Sequence, residues 1–135
     1  MATFNKFNAW VDNMVEVANL ATDQFVIALT NTAPTAANSV LADITQIAYT
    51  NLSSRNVTTA SSSQTTGTYT LTLNDLVLTA SGPVATFRYA VLYDDTPTSP
   101  ADPLVGWWDY GSSITMANPG ETFTVDFTGA TITLS

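Results

Sequence analysis

The sequence predicts an all-β fold, a β-sandwich of jelly-roll or immunoglobulin-like type, with one α-helix at its N-terminus. Two observations predict the strands. About seven or eight short apolar or alternating segments follow one another, at the spacing that is usual for sandwiches and barrels. Turn-forming Gly, Pro, Asn and Asp residues separate these segments. A third observation concerns size. A chain of 135 residues is long enough to form one domain with its own hydrophobic core, and the absence of Cys means that this domain is not stabilised by disulfides.

The first segment has helical periodicity. Phe4, Phe7, Val11 and Met14 recur at spacings of three and four, which predicts a helix over residues 4–20. We expect a helical arm over residues 1–22 and a β-sandwich domain over residues 23–135.

Two roles for this helix stay open. It either packs on the sheet of its own domain or docks on a neighbouring subunit. The residues that would make an intersubunit contact are its large apolar side chains: Phe4, Phe7, Trp10, Val11 and Met14.

The remaining segments predict strands in the order in which they occur. Residues 24–30 form a compact apolar run, and residues 68–73 alternate between Thr and apolar side chains. Residues 40–49 carry mixed signals, and the Ser/Thr-rich residues 55–67 fit either an exposed edge strand or a mobile loop. The further predicted strands are 76–80, 85–93, 104–110, 121–127 and 131–134.

The alternation in residues 85–93 puts Phe87 on the same side as Val91 and Tyr93, with Ala90 and Leu92 on the other side.

Composition and charge exclude several classes of function. The formal net charge is −8, with 3 Lys+Arg against 11 Asp+Glu, so nothing favours nucleic acid or an anionic membrane surface as a partner. The absence of His and Cys excludes a Ser-His-Asp triad, a Cys nucleophile and a zinc-finger site. We therefore expect no enzymatic activity and no cofactor. The 24 Thr and 11 Ser residues make the polar surface mostly hydroxyl.

No targeting segment or membrane span is predicted. The N-terminus lacks a basic region followed by an apolar one, and no apolar run approaches the length of a bilayer span. We expect a protein that is made in the cytoplasm and used without secretion.

Four aspartates and one arginine are the candidates for a metal site or an ion pair. Asp94, Asp95, Asp102 and Asp109 form a carboxylate cluster, but the alternating Asp pattern of a Ca²⁺ loop is missing, so a solvated loop is favoured over a metal site. Arg88 lies in an apolar strand, where an unpaired charge is costly.

We expect Arg88 to form a structural ion pair, with Asp109 or Asp126 as its partner. The alternative is that Arg88 points toward solvent or a partner subunit.

Three aromatic residues close together are candidates for contacts. Trp107 and Trp108 are neighbours in a predicted strand and must point to opposite faces, so that one enters the core and the other faces outward. With Tyr110 they could also form a stacking platform for a sugar. Packing in the core or at an interface is the favoured interpretation.

Four stretches together indicate a family: 26–34 (VIALTNTAP), 87–94 (FRYAVLYD), 102–111 (DPLVGWWDYG) and 121–127 (ETFTVDF). In this order they resemble small virion structural proteins of tailed bacteriophages. The resemblance spans most of the chain and is weakest in residues 55–67. It carries no catalytic residues.

The resemblance implies a head decoration or cement protein on the outer surface of the capsid. The implied partners are the major capsid protein and further copies of the chain, a trimer being favoured over a dimer. A tail, neck or fibre component is the first alternative, and a carbohydrate-binding module using Trp107 or Trp108 is the second.

Overall fold

The computed structural model describes residues 2–128 and 132–135 of the chain. In this part the chain is mostly antiparallel β-structure with one α-helix, which confirms the predicted fold class. The elements are β1 Phe4–Lys6, α1 Trp10–Glu16, β2 Phe25–Thr30, a 3₁₀-helix Leu41–Asp43, β3 Asn56–Val57, β4 Thr59–Thr65, β5 Thr68–Leu73, β6 Leu76–Thr79, β7 Val84–Asp94, β8 Leu104–Met116, β9 Thr122–Val125 and β10 Ile132–Leu134.

The strands form three sheets. The largest has the order β1-β8-β7-β2-β3, the second has the order β10-β5-β4, and β6 pairs with β9. Strand β2 lies inside the large sheet and is buried along its whole length, which explains why its sequence is a continuous apolar run rather than an alternating one.

The main core lies between the large sheet and the two smaller ones. Phe25 and Leu92 of the large sheet belong to the same buried cluster as Leu71 of β5, Leu78 of β6 and Val125 of β9. Removal of this apolar surface from water contributes most of the free energy that holds the three sheets together.

The opposite face of the large sheet is also covered. Phe7, Ile44, Val91 and Tyr93 form a second buried cluster there with other residues of β2 and β8. Because both faces are covered, the large sheet is an internal layer of the protein rather than one wall of a simple two-sheet sandwich.

The N-terminal helix is shorter than predicted, so the prediction of a helix over residues 4–20 was wrong. Residues Phe4–Lys6 form strand β1, paired with β8, and only Trp10–Glu16 are α-helical. The spacing of Phe4 and Phe7 also suits a strand followed by a turn, because β1 sends Phe4 to one face of the sheet and Phe7 anchors the other face. The boundary between an arm and a domain at residue 22 stays a prediction.

Strands β7 and β8 are longer and less regular than predicted. Phe87 pairs with Ile114 and Tyr89 pairs with Asp109. An advance of two residues along β7 therefore corresponds to five residues along β8. This bulge breaks the alternation of β7. Phe87 consequently joins Ala90 and Leu92 in the main core, and the prediction that it shares a face with Val91 was wrong.

The Ser/Thr-rich segment forms an edge strand. β4 pairs with β5 through a two-residue loop at Thr66 and Gly67, with φ of 48° and 84°. Positive φ at both loop residues is typical of a type I′ turn, whose twist matches that of the flanking strands. Of the two interpretations of residues 55–67, the structure therefore supports the edge strand.

Candidate functional site

The neighbouring tryptophans point to opposite faces of β8, as predicted, but neither is a freely exposed platform. Trp108 is 3% exposed and packs in the main core against Phe4 and Phe127, with ring centroids 5.0 and 5.4 Å away. Trp107 lies on the other face, where its ring centroid is 4.6 Å from that of Phe7. The N-terminal segment covers what the sequence alone suggested to be an outward-facing ring.

Tyr110 completes this aromatic group at the end of the regular part of β8. Its ring lies 4.9 Å from that of Phe123, edge to face. Burial raises the pKa of the Tyr110 phenol, and the nearby negative charge of Asp126 adds to the effect. Tyr110 therefore stays neutral and serves as a packing residue between two sheets.

The N-terminal contact candidates divide into buried and exposed residues. Phe7 and Trp10 are 0% and 2% exposed and belong to the cores of this chain. Their side chains are therefore already buried within one chain. Phe4 and Met14 are partly buried. Val11 is 46% exposed, and its role in a contact with another subunit stays a prediction.

Helix α1 carries a second exposed apolar residue that the sequence analysis did not select. Val15 is 63% exposed and lies one turn beyond Val11 on the same side of the helix. Val11 and Val15 are called the helix ridge below. The pair is recognisable in the sequence by its i, i+4 spacing, but only the structure shows that the larger side chains, not these two, face the core.

Two grooves flank the helix. One, of about 270 Å³, lies between α1 and β10 and is lined by Trp10, Val11, Met14 and Ile132 among others. The other is a shallow depression of about 450 Å³ between the end of α1 and the hairpin β4–β5, with Tyr69 in its lining. Val11 of the helix ridge thus borders the first of these grooves.

Arg88 forms an ion pair with Asp109, one of its two predicted partners. The Arg88 Nε and Nη2 atoms donate to Asp109 Oδ1 and Oδ2 over 2.8 and 3.0 Å, and Gly111 N–H donates to Asp109 Oδ1 over 2.8 Å. The hydrogen bond from Arg88 lowers the pKa of Asp109, and the Gly111 bond adds to this. The side chains are 39% and 40% exposed, so the pair is a surface feature at the start of the bulge of β8 and contributes little to stability.

Asp126, the other predicted partner of Arg88, has a local role. Its Oδ1 accepts a hydrogen bond from Thr128 N–H over 2.7 Å. This backbone hydrogen bond lowers the pKa of Asp126. It stabilises the turn that follows β9.

The aspartates of the 94–103 loop do not lie in one environment. Asp94 is fully buried at the end of β7, whereas Asp95 is exposed. Asp102 is partly buried, which raises its pKa, and the charge of Asp95 raises it further. The expectation of a solvated loop is therefore wrong for Asp94.

Asp94 has a carboxyl partner that the sequence analysis missed. Burial, followed by its hydrogen bond with Asp23, raises the pKa of Asp94 to about 8. Asp94 Oδ1 accepts from Thr96 N–H over 3.3 Å, while Oδ2 has no donor among the described residues. Asp23 Oδ2 accepts from Asn19 N–H over 2.9 Å. A proton on Asp94 removes the repulsion between these two neighbouring carboxyl groups.

The three-stranded sheet β10-β5-β4 lacks charge altogether. None of the residues in Thr59–Thr65, Thr68–Leu73 and Ile132–Leu134 is Asp, Glu, Lys or Arg, although the chain carries a net charge of −8. Its outer face presents hydroxyl groups, with Ser61 opposite Thr72 and Ser63 opposite Thr70. This region is called the uncharged sheet below.

Two kinds of feature, a metal-binding cluster and a membrane-spanning helix, are absent from the described part of the chain. Residues 2–128 and 132–135 contain no group of three or more His, Cys, Asp or Glu side chains placed to hold a metal ion. In the same part of the chain, no helix has the length and apolarity required to cross a membrane.

Comparisons with known proteins give no relative: no family model, no curated protein and no solved structure matches this chain. Function must therefore be argued from the surfaces described above.

Proposed function

We propose that this chain is a non-enzymatic structural protein of a tailed-bacteriophage virion that binds the outer surface of the assembled head as a decoration protein. The proposal combines the resemblance of the four sequence stretches with the character of the surface. Three of those stretches supply β2, β7 and β8, which are adjacent strands of the large sheet. The resemblance therefore concerns the part of the chain that forms the central layer.

The observation that carries the proposal is the helix ridge. Val11 and Val15 are 46% and 63% exposed, side by side on a helix that Trp10 and Phe7 fix to the body of the protein. An exposed apolar patch on a rigid element marks a surface for contact with another protein. A decoration protein needs such a surface on every copy, because many modest contacts with a lattice add up to tight binding.

The low charge of the chain supports the same function. Protein contact surfaces are depleted in charged residues at their centre, and here charged residues make up 10% of the chain. The net charge of −8 favours solubility of the free protein before it meets the shell. A protein that binds only the assembled shell stabilises that state by mass action.

A tail, neck or fibre component is the second candidate, because the same surface suits any multimeric virion part. The two functions differ in copy number, which is in the hundreds for a decoration protein. The carbohydrate-binding alternative gains no support from Trp107 or Trp108, since Trp108 is buried and Trp107 stacks on Phe7.

The test uses virions and matched variants. Quantitative mass spectrometry of purified particles should find the chain in hundreds of copies, and particles lacking it should release their genome at lower temperature. Re-addition of the wild-type chain should restore both properties. Val15→Glu should reduce occupancy about tenfold or more, because it places a charge in the contact.

Val77→Glu is the matched control for this test. Val77 is 52% exposed but lies on β6, away from the helix ridge, so its occupancy should equal that of the wild type. A few copies per particle would contradict a decoration role. Equal binding of Val15→Glu and the wild type would show that the helix ridge is not the contact.

A further inference from the structure

Strand β4 is an open edge of unusual length and composition. It has seven residues, Thr59–Thr65, and terminates the uncharged sheet, so that one side pairs with β5 and the other side pairs with no strand of residues 2–128 and 132–135. The opposite edge of the same sheet, β10, has three described residues. On the open side of β4, alternate N–H and C=O groups point away from β5, and none of the described strands receives them.

Edge strands of this kind are normally protected. Charged side chains, Pro residues and bulges are the usual devices that prevent a second chain from pairing with an edge. β4 contains no charged residue and no Pro, and its one irregularity lies at the start, between Thr59 and Ser61. From Ser61 to Thr65 it pairs with β5 residue by residue. The regular part of the edge is therefore open to pairing.

The charge distribution favours a second copy of this chain as the partner. Two copies that each carry a net charge of −8 repel one another, and the repulsion is least where neither surface contributes a charge. The uncharged sheet is such a place. The hydroxyl groups of β4 both donate and accept hydrogen bonds, so a hydroxyl strand can pair with itself in an antiparallel sense, and Ser and Thr pairs across strands are favourable.

We propose that two copies of the chain associate through β4, antiparallel and around a two-fold axis, to form a continuous six-stranded sheet. Each copy then contributes β10, β5 and β4, with the two β4 strands at the centre. The contact is isologous, since the same strand serves on both sides. The helix ridge is not used in this pairing.

The proposal deepens the proposed function, since it says how copies of a virion protein would associate with one another, and it rests on that function only there. A two-fold contact produces a dimer, in contrast to the trimer that the sequence resemblance favours. The mass of the full-length protein in solution therefore distinguishes the two. Binding to the capsid is measured separately on particles. A failure of the dimer proposal can therefore be distinguished from a failure of the capsid-binding proposal.

The experiment is sedimentation velocity and native mass spectrometry of the full-length chain over micromolar concentrations. We expect a monomer–dimer equilibrium that tightens as salt is raised, because salt screens the repulsion between the two bodies. Ser63→Lys should weaken the dimer about tenfold or more, since it brings like charges together across the new strand pair.

Two comparisons make the result specific to β4. Thr72→Lys puts the same charge on the same face but on β5, one strand away from the edge, and should change the dissociation constant less than about threefold. Mixing Ser63→Lys with Ser63→Asp should restore association as a heterodimer. Far-UV circular dichroism and urea midpoints equal to those of the wild type establish that all three variants fold.

Three results would overturn the proposal. They are a wild-type chain that stays monomeric throughout the concentration range, a trimer, and a dimer that Ser63→Lys leaves intact.

Discussion

Replacement of Asp94 by Asn should change how the stability of this protein depends on pH. Asp94 is 0% exposed and Asp23 is 9% exposed, and the neighbouring Asp23 carboxyl contributes to the raised pKa of Asp94. Two neighbouring negative charges in a buried site are unfavourable, so the folded protein holds a proton on Asp94. Asn at position 94 provides an N–H donor for Asp23 without any proton to lose.

The free energy of unfolding should fall as pH rises, because the folded chain raises the pKa of Asp94 rather than lowering it. Burial and the Asp23 contact raise the pKa of Asp94 from 3.8 to about 8 in the folded chain. Between these two values the unfolded chain has lost the proton and the folded chain keeps it, so the free energy of unfolding falls as pH rises. The slope approaches 1.4 kcal/mol for each pH unit, or about 3 kcal/mol between pH 5 and pH 7.

The assay is urea unfolding followed by tryptophan fluorescence at several pH values from 5 to about 9. The stability of Asp94→Asn relative to the wild type should increase by about 3 kcal/mol between pH 5 and pH 7, because only the wild type loses the proton of residue 94 on unfolding. The difference between the two proteins cancels contributions from carboxyl groups with lowered pKa, such as Asp43 and Asp109, whose stabilisation is lost in acid.

Asp95→Asn is the matched control, because it removes the same charge from the neighbouring, exposed position. Its stability should still fall between pH 5 and pH 7 as that of the wild type does, because the larger causes of the raised pKa of Asp94, burial and Asp23, are retained. A difference between wild type and Asp94→Asn that does not change with pH would show that Asp94 does not hold a proton in the folded chain.

Three further predictions concern packing and turns. Gly106→Ala should cost about 1–3 kcal/mol, because a Cβ there would collide with the Phe4 ring and lie 2.6 Å from the Asn5 carbonyl oxygen; limited proteolysis should detect release of β1. Thr66→Asn should raise stability by about 1 kcal/mol, since Asn tolerates the φ of 48° better than a β-branched residue; an unchanged urea midpoint would contradict this. Phe7→Ala should cost about 3–5 kcal/mol at any protein concentration, whereas a loss that appears only in the oligomer would contradict packing within one chain.

Local sequence patterns were sufficient for most of the strands. The apolar run of β2 and the alternation of β5 identify them without any knowledge of their partners. β5 was predicted at residues 68–73 and begins and ends at Thr68 and Leu73. Each of these signals comes from residues that are neighbours in the sequence, which is why periodicity can detect them.

Features that depend on distant residues were missed. β1 exists because it pairs with β8, and nothing in the spacing of Phe4 and Phe7 distinguishes that strand from a helical turn. The contact between Asp23 and Asp94 is equally invisible, because it arises where the start of β2 meets the end of β7. Long-range pairing, rather than local propensity, decides both cases.

The bulge in β8 has a practical consequence for engineering. Gly111, Ser112 and Ser113 are exposed and stand outside the regular ladder, while Asp109 and Ile114 hold the pairing with β7 on either side. Extra residues at Ser112 would lengthen a segment that already departs from the ladder, with no shift in either flank. A peptide epitope or a fluorophore attachment sequence inserted there would give a handle on the molecule that leaves the helix ridge and the outer edge of β4 untouched.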